Sequence, residues 1–251
     1  MGRNKRTALA LSIGCLMALS AVACGSNATT TTSGSPSAGN SGSASAGTWR
    51  IGVEAPLTGD QSTLGQGMLQ GAQLAADQVN AAGGVLGRKV EIVQIDDAAN
   101  PTTGVAAANA AIAGGLNGVI GPYNSSVGVQ TLPLYQKAGI VPIRLTSDNA
   151  TDGKGFTLQP MTSQIAPVTA DALTKFYTAK SVAIIYDSTQ NYTTSTSAAV
   201  KAKLEASGVK VTTYQPISPG QASYADVLQQ VMAANPDMVY SAVYFPEGAT
   251  I

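Results

Sequence analysis

From position 49 onward, short apolar runs alternate with longer segments of helical periodicity, and this alternation restricts the possible folds more than any other feature. In the first helical segment, Leu64, Met68, Ala72, Ala75 and Val79 recur at spacings of four, four, three and four residues, which places them on one helix face. Strands that alternate with helices pair in parallel through right-handed helical crossovers, and the helices then cover the sheet. The sequence therefore predicts an α/β fold. Strands are predicted at 50–55, 89–96, 118–121, 140–145, 181–186, 209–214 and 238–245, and further helices at 101–113, 126–137, 165–177, 193–207 and 224–234.

The order of these elements repeats at an interval of about 120 residues. The strand, helix and strand that start at 90, 101 and 119 are matched by those that start at 211, 224 and 239. Such a repeat predicts two similar open sheets, each with a crevice at the carboxyl ends of its strands. We therefore expect two Rossmann-like parallel-sheet lobes, at 49–163 and 164–251. Coincidental regularity of an α/β chain is the alternative explanation.

The amino terminus carries an export signal at 1–23, made of three basic residues, an apolar run of roughly 15 residues and small residues before Cys24. The run is shorter than the ~20 residues with which a helix spans a bilayer, which disfavours a retained membrane helix. The tetrapeptide AVAC at 21–24 resembles the lipobox of bacterial lipoproteins, and this resemblance implies lipidation of Cys24. The alternative is a plain secretory leader with an incidental cysteine.

Residues 24–48 predict a flexible Ser/Thr/Gly tether, because a segment without large apolar side chains cannot offset its ordering entropy by burial. The leader also contains the other cysteine, so the mature chain has no partner with which Cys24 could form an intramolecular disulfide. Removal of three basic residues leaves eleven against fourteen acidic ones, a net charge of about −3. This balance argues against nucleic acid as a partner.

Four segments carry a family resemblance: IGVEAPLTGD at 51–60, LQGAQLAADQVNAAGGVLGRKVEIVQIDDAANP at 69–101, GVIGPYNSS at 118–126 and PDMVYSAVYFPE at 236–247. They resemble the substrate-binding lipoproteins of branched-chain amino acid ABC transporters, which are type I periplasmic binding proteins of the leucine-binding type. The resemblance extends from Arg50 to the last residue. It implies a two-lobed receptor that closes about a hinge and delivers a small solute to a membrane permease. It also implies that family members continue past this chain to finish the second lobe and then the first, so that this C-terminal part is expected to be missing.

Ser125 and Ser126 follow the predicted strand at 118–121 and are candidates for ligand contact. A helix that starts near Ser126 would direct its free backbone N–H groups and the positive end of its dipole into the crevice. One of the two hydroxyls could cap that helix, while the other is placed to hold a carboxylate or a similar polar head. The resemblance implies that the serine matching Ser125 binds an amino acid carboxylate.

Thr146, Ser147 and Asp148 follow the next predicted strand and should reach the same crevice, unless they form an ordinary turn or helix cap. The resemblance implies a threonine or serine at the position of Asp148, where it contacts the ligand carboxylate. A second carboxylate there would repel the ligand. An aliphatic amino acid is therefore disfavoured, and an amine, a polyol or an amide suits the site better, unless Asp148 turns outward and Thr146 or Ser147 replaces it.

Tyr192 and Tyr244 are the candidates from the second lobe, and Tyr123 is a further candidate wall of the site. A tyrosine combines a large flat face with one hydroxyl, which suits it to close over a small solute. The resemblance implies pocket tyrosines at both lobe 2 positions, although Asn191 is the alternative equivalent to Tyr192. Tyr244 could instead be buried in the sheet.

Three classes of function compete. The chain has no histidine and no G-x-S-x-G turn, which argues against a serine hydrolase, and we expect no cofactor. Asp96 and Asp97 are expected to form a turn, so no metal site is predicted. The leading expectation is a monomeric receptor, lipid-anchored on the outer face of the cell membrane, that binds an amino-acid-like, amide or amine solute for an ABC permease. A surface-anchored sensor that serves a signalling partner is the alternative.

Overall fold

The computed structural model describes residues 47–251. The predicted signal peptide at 1–23, the lipidation site Cys24 and nearly all of the predicted tether at 24–48 lie outside the described residues. Among the helices of residues 47–251, none is both long enough and apolar enough to cross a bilayer.

Lobe 1 is built on a five-stranded parallel sheet with the strand order β2-β1-β3-β4-β5. The order places the later strands β3 to β5 on one side of β1, while β2 lies on its other side. Its strands are β1 (Trp49–Ala55), β2 (Val90–Asp96), β3 (Gly118–Ile120), β4 (Pro142–Arg144) and β5 (Phe156–Thr157), and its helices are α1 (Ser62–Ala81), α2 (Pro101–Ala113) and α3 (Ser125–Lys137).

Lobe 2 is built on a three-stranded parallel sheet with the order β7-β6-β8. Its strands are β6 (Ser181–Asp187), β7 (Lys210–Ile217) and β8 (Met238–Ala242), and its helices are α4 (Thr162–Asp171), α5 (Asn191–Ala206), α6 (Ala225–Ala233) and α7 (Glu247–Thr250). A single π-helical turn, Ala172–Phe176, continues α4. Strand β6 is central in this sheet, and its residues 182–185 are buried on both faces, as expected for a continuous apolar run in a parallel sheet.

The predicted α/β class with two parallel-sheet lobes is confirmed. All seven predicted strands are present, but the edge strand β5 and the short helix α7 were not predicted. The predicted strand at 238–245 is too long: β8 ends at Ala242, and the chain turns through Pro246 into α7. The boundary between the lobes at 163 and 164 stays a prediction.

The two ends of β1 have different surroundings. At its start, the guanidinium of Arg88 lies 3.6 Å from the centre of the Trp49 ring, and the indole N–H donates to the Val85 carbonyl oxygen at 2.9 Å. At its other end, Val53 and Ala55 are fully buried. The strand therefore begins at the partly exposed contact between Trp49 and Arg88 and ends inside lobe 1.

Two carboxyl groups are buried where β1 and β2 end. The side chain of Glu54 is fully buried, and the Thr131 hydroxyl donates to its Oε2 at 3.2 Å. Burial, reinforced by the nearby Asp97 carboxylate, raises the pKa of Glu54 to about 8. Burial likewise raises the pKa of Asp97 to about 7, although the Ala99 N–H donates to its Oδ1 at 2.8 Å. Protonation at both positions therefore favours the folded state.

We predict that the free energy of unfolding falls by about 4 kcal/mol between pH 6 and pH 9, since one pKa unit corresponds to about 1.4 kcal/mol. Both folded-state pKa values lie above those of the unfolded chain, so this contribution is fully present below about pH 4 and is lost as the pH rises through 7 and 8. Urea denaturation of the Glu54→Gln variant should show a smaller loss over the same range. The matched control is Asp77→Asn on the exposed face of α1, and an equal pH dependence in both variants would contradict the assignment.

A second prediction concerns the close packing of α3 against the turn after β4. A Cβ added at Gly128 would lie 2.7 Å from Thr146 Cγ2 and 3.2 Å from Pro122 Cγ. We expect Gly128→Ala to destabilise the protein by about 1 to 3 kcal/mol, because helix and turn must separate. Gly67→Ala in α1 is the control, since no atom lies within 4 Å of its added Cβ and alanine favours a helix by about 1 kcal/mol. If urea denaturation gives Gly128→Ala the same free energy of unfolding as wild type, then α3 can move away from the turn without cost.

Candidate ligand-binding site

A cavity of about 150 Å³ lies between residues of the two lobes, close to the carboxyl ends of their strands. None of its lining side chains carries a formal charge, whereas three are tyrosines and two are serines. The lining consists of Tyr123, Ser125, Leu145, Ser147, Gln159, Tyr192 and Tyr244. Five of the eight predicted site residues are therefore brought together here.

Ser125 is the first residue of α3, and its hydroxyl joins this helix to the turn after β4. Its Oγ accepts hydrogen bonds from the backbone N–H groups of Ser147 and Asp148, both at 3.2 Å. A hydroxyl oxygen has two lone pairs and one proton, so these two bonds leave Ser125 with a proton to donate. Because Ser125 lines the cavity, it presents a hydrogen-bond donor there.

Ser126 joins the two lobes. Its Oγ accepts from the Asn191 backbone N–H at 2.7 Å and lies 3.4 Å from Asn191 Oδ1. Ser126 is buried and is absent from the cavity lining, so its hydroxyl connects the start of α3 with the start of α5. The prediction that one of the two serines caps α3 is wrong. Asn124 occupies the cap position without a side-chain cap hydrogen bond, and its side-chain amide donates to Gln61 Oε1 at 2.9 Å instead.

The three residues after β4 point in different directions. Ser147 lines the cavity, and its hydroxyl donates to Gln159 Oε1 at 3.1 Å. Thr146 is fully buried beneath the turn, where its hydroxyl oxygen lies 3.0 Å from that of Thr151. Asp148 accepts from the Ala150 N–H at 2.7 Å and faces a different cavity. The second cavity is lined by Asp148, Ser188, Thr189, Gln190, Asn191, Thr194, Ser195 and Ala198.

The three predicted tyrosines form one aromatic wall. The ring centre of Tyr244 lies 6.0 Å from that of Tyr123 and 6.2 Å from that of Tyr192. Tyr123 lies between β3 and α3 in lobe 1, whereas Tyr192 lies in the first turn of α5 and Tyr244 follows β8 in lobe 2, so the wall includes residues from both lobes. Burial raises the pKa of all three phenols, which keeps them neutral and able to donate as well as accept.

Two lining residues, Leu145 and Gln159, were not predicted as site residues. Leu145 directly follows β4, so the rule that ligands bind beyond strand ends points to it. Gln159 follows the two-residue edge strand β5, which has too short an apolar pattern to be recognised in the sequence.

A family model described as periplasmic binding protein matches residues 48–251. A Leu/Ile/Val-binding protein of Rhizobium johnstonii is 33% identical over 207 residues, which cover 80% of this chain and 56% of that protein. Among solved structures, a leucine-binding protein from Thermotoga maritima has a TM-score of 0.72 and 26% identity, over 80% of this chain and 58% of that one.

A solute-binding protein of an ABC transporter from R. palustris, solved with 4-hydroxybenzoate, has a TM-score of 0.67 at 22% identity, over 77% of this chain and 53% of that one. This similarity concerns the fold. The chain spans about half the length of the relatives that it matches. With the family model covering nearly all of the described residues, the chain belongs to the periplasmic binding protein family.

Proposed function

We propose that this protein is an extracytoplasmic solute-binding receptor of an ABC importer and that it holds a small carboxylate-bearing solute between its two lobes. The observation that carries the proposal is the Ser125 hydroxyl, which accepts two backbone N–H groups and must donate its proton. A ligand at this point therefore has to supply a hydrogen-bond acceptor. A carboxylate is the acceptor that gains most from such a donor, because hydrogen bonds to charged groups are the stronger ones.

The helix starts around the cavity favour the same ligand group. Both α3 and α5 begin at residues close to the cavity, and the Ser126–Asn191 hydrogen bond holds these two starts together. The N–H groups of a first helical turn have no acceptor within their helix, and the helix dipole adds positive potential. The uncharged lining offers no side chain that would oppose an anion.

The cavity volume and the aromatic wall restrict the rest of the solute. About 150 Å³ is well below the roughly 300 to 1,000 Å³ of pockets that hold drug-sized ligands. Leu145 and the tyrosine faces offer apolar contact beyond the carboxylate end. The solute is thus an aliphatic amino acid or a single-ring aromatic acid, in line with the names of the relatives that bind leucine, isoleucine and valine.

The Asp148 carboxylate should repel the carboxylate of an aliphatic amino acid less strongly than its position in the sequence suggests. Its carboxylate is held by the Ala150 N–H at the start of the 3₁₀ turn Asn149–Thr151, and it faces the second cavity. Ser147 takes the place in the lining. The repulsion expected between Asp148 and a ligand carboxylate is correspondingly reduced.

Two contacts between the lobes support the proposed closure. Ser126 with Asn191, and Gln190 Nε2 with the Ala99 carbonyl oxygen at 3.5 Å, connect lobe 1 to the start of α5. A ligand that touches Ser125 and Ser147 from one lobe and Tyr192 and Tyr244 from the other would stabilise this closed arrangement. In the proposed cycle, the permease recognises the closed form. Lipidation at Cys24 and the tether at 24–48 would hold the receptor at the outer face of the membrane.

A binding assay tests the proposal. Isothermal titration calorimetry with leucine, isoleucine, valine and 4-hydroxybenzoate should detect binding of at least one of these acids by the purified protein. Ser125→Ala should weaken that binding by about 10- to 100-fold, because it removes a hydrogen bond to a charged group. Ser207→Ala at the exposed C-terminal end of α5 is the matched control and should bind as wild type does. Equal affinity in Ser125→Ala and Ser207→Ala would remove the central donor from the proposal.

Small-angle scattering tests the closure step. The solute that binds in the calorimeter should reduce the radius of gyration of the wild-type protein. In the Ser126→Ala variant, which lacks the hydroxyl between α3 and α5, the same solute should produce less compaction at equal saturation. An unchanged radius of gyration in saturated wild-type protein would contradict closure.

A further inference from the structure

Arg144 carries a positive charge beneath the candidate site. Its side chain is only 1% exposed. The nearest carboxylate is that of Asp152, at 3.9 Å from the guanidinium, and it is 77% exposed. An exposed partner is screened by water and compensates a buried charge only weakly. Within the described residues, the Arg144 Nε–H also has no hydrogen-bond partner.

The guanidinium binds the turn that lines the cavity. Arg144 Nη1 donates to the carbonyl oxygen of Thr146 at 2.6 Å and to the hydroxyl oxygens of Thr146 and Thr151, each at 3.1 Å. It also contacts the sulfur of Met161 at 3.6 Å. The turn between β4 and the 3₁₀ helix is therefore built around a charged donor.

A continuous chain of donors leads from this charge to the cavity. The Thr146 carbonyl belongs to the same peptide group as the Ser147 N–H, which donates to Ser125 Oγ at 3.2 Å. The guanidinium donates to the peptide and the peptide donates to the hydroxyl, which under the proposed function donates in turn to the ligand. Hydrogen bonds arranged head to tail strengthen one another, by an estimated 10 to 30% per bond.

We propose that Arg144 is a positioning residue that selects the charge of the ligand, so that the site prefers a carboxylate to its neutral amide. The preference arises in two ways, through polarisation of the peptide that holds Ser125 and through the charge of the guanidinium itself, which acts across a poorly solvated interior. This inference rests on the proposed function and adds the residue that makes an uncharged cavity anion-selective.

Two acidic residues near the turn oppose the effect only in part. Asp148 accepts a backbone hydrogen bond from Ala150, and its side chain faces the second cavity. Asp152 lies in water on the outer side of the turn. The buried charge closest to the Thr146–Ser147 peptide is therefore that of Arg144.

A paired-ligand experiment separates charge selection from a purely structural role. Calorimetry would compare 4-hydroxybenzoate with 4-hydroxybenzamide, and leucine with leucinamide, on wild type and on the Arg144→Met and Arg144→Lys variants. We expect the ratio of carboxylate to amide affinity to fall by about ten-fold or more in Arg144→Met and to stay within about three-fold in Arg144→Lys. If Arg144 only supports the turn, both members of a pair lose affinity by the same factor and the ratio is unchanged, which would overturn the proposal.

Asp152→Asn provides a second variant that leaves the buried residues intact. Removal of the exposed counter-charge should raise the same affinity ratio by about two- to three-fold, while the remote surface variant Asp77→Asn should leave it unchanged. A ratio that falls or stays constant in Asp152→Asn contradicts charge selection, even if Arg144→Met does not fold.

If wild type binds a carboxylate and its amide equally, this inference fails while the proposed binding stands. If wild type binds none of the four compounds, the proposed function fails and the inference fails with it.

Discussion

The hydroxyl of Ser125 is the point on which the candidate site depends, because it accepts two backbone N–H groups from the turn after β4. This one atom links the start of α3 to that turn, and the hydroxyl keeps its proton as a remaining donor. The cap position of α3 is held by Asn124, whose side-chain amide donates to Gln61 Oε1 at 2.9 Å, so the helix begins without a side-chain cap.

The sequence predicts where the site residues lie in the fold better than it predicts the directions of their side chains. Ser125 and Ser147 follow strands of the lobe 1 sheet, so the strand-end rule places them at its crevice edge. The same rule places Tyr192 and Tyr244 at the crevice edge of the lobe 2 sheet. That the two pairs share one pocket was implied by the family resemblance. Thr146 and Asp148 obey the same rule, yet they face Thr151 and Ala150. Their directions depend on the buried guanidinium of Arg144 and on the 3₁₀ turn. Neither contact leaves a periodic signal in the sequence.

The fold was predictable to a similar depth. The parallel sheets follow from alternating apolar runs, whereas the two-residue strand β5 is too short to produce such a run and went unrecognised together with Gln159 beside it. The buried polar groups of lobe 1 were also not recognised, because no pattern in the sequence distinguishes them. Glu54, Asp97 and Arg144 look like surface residues in a single sequence, but their environments shift two pKa values and place one charge beneath the cavity.

The placement of Trp49 decides how this molecule can be observed by light. It is the single tryptophan of the chain and begins β1, whose seven residues extend over about 20 Å towards the cavity edge of the sheet. The indole is held by Arg88 and Val85, whereas the aromatic groups around the cavity are all tyrosines. Tryptophan fluorescence should therefore change when lobe 1 unfolds around Trp49, and it should change very little when a solute binds in the cavity. Tyrosine emission or near-ultraviolet dichroism is the optical signal that reports occupancy.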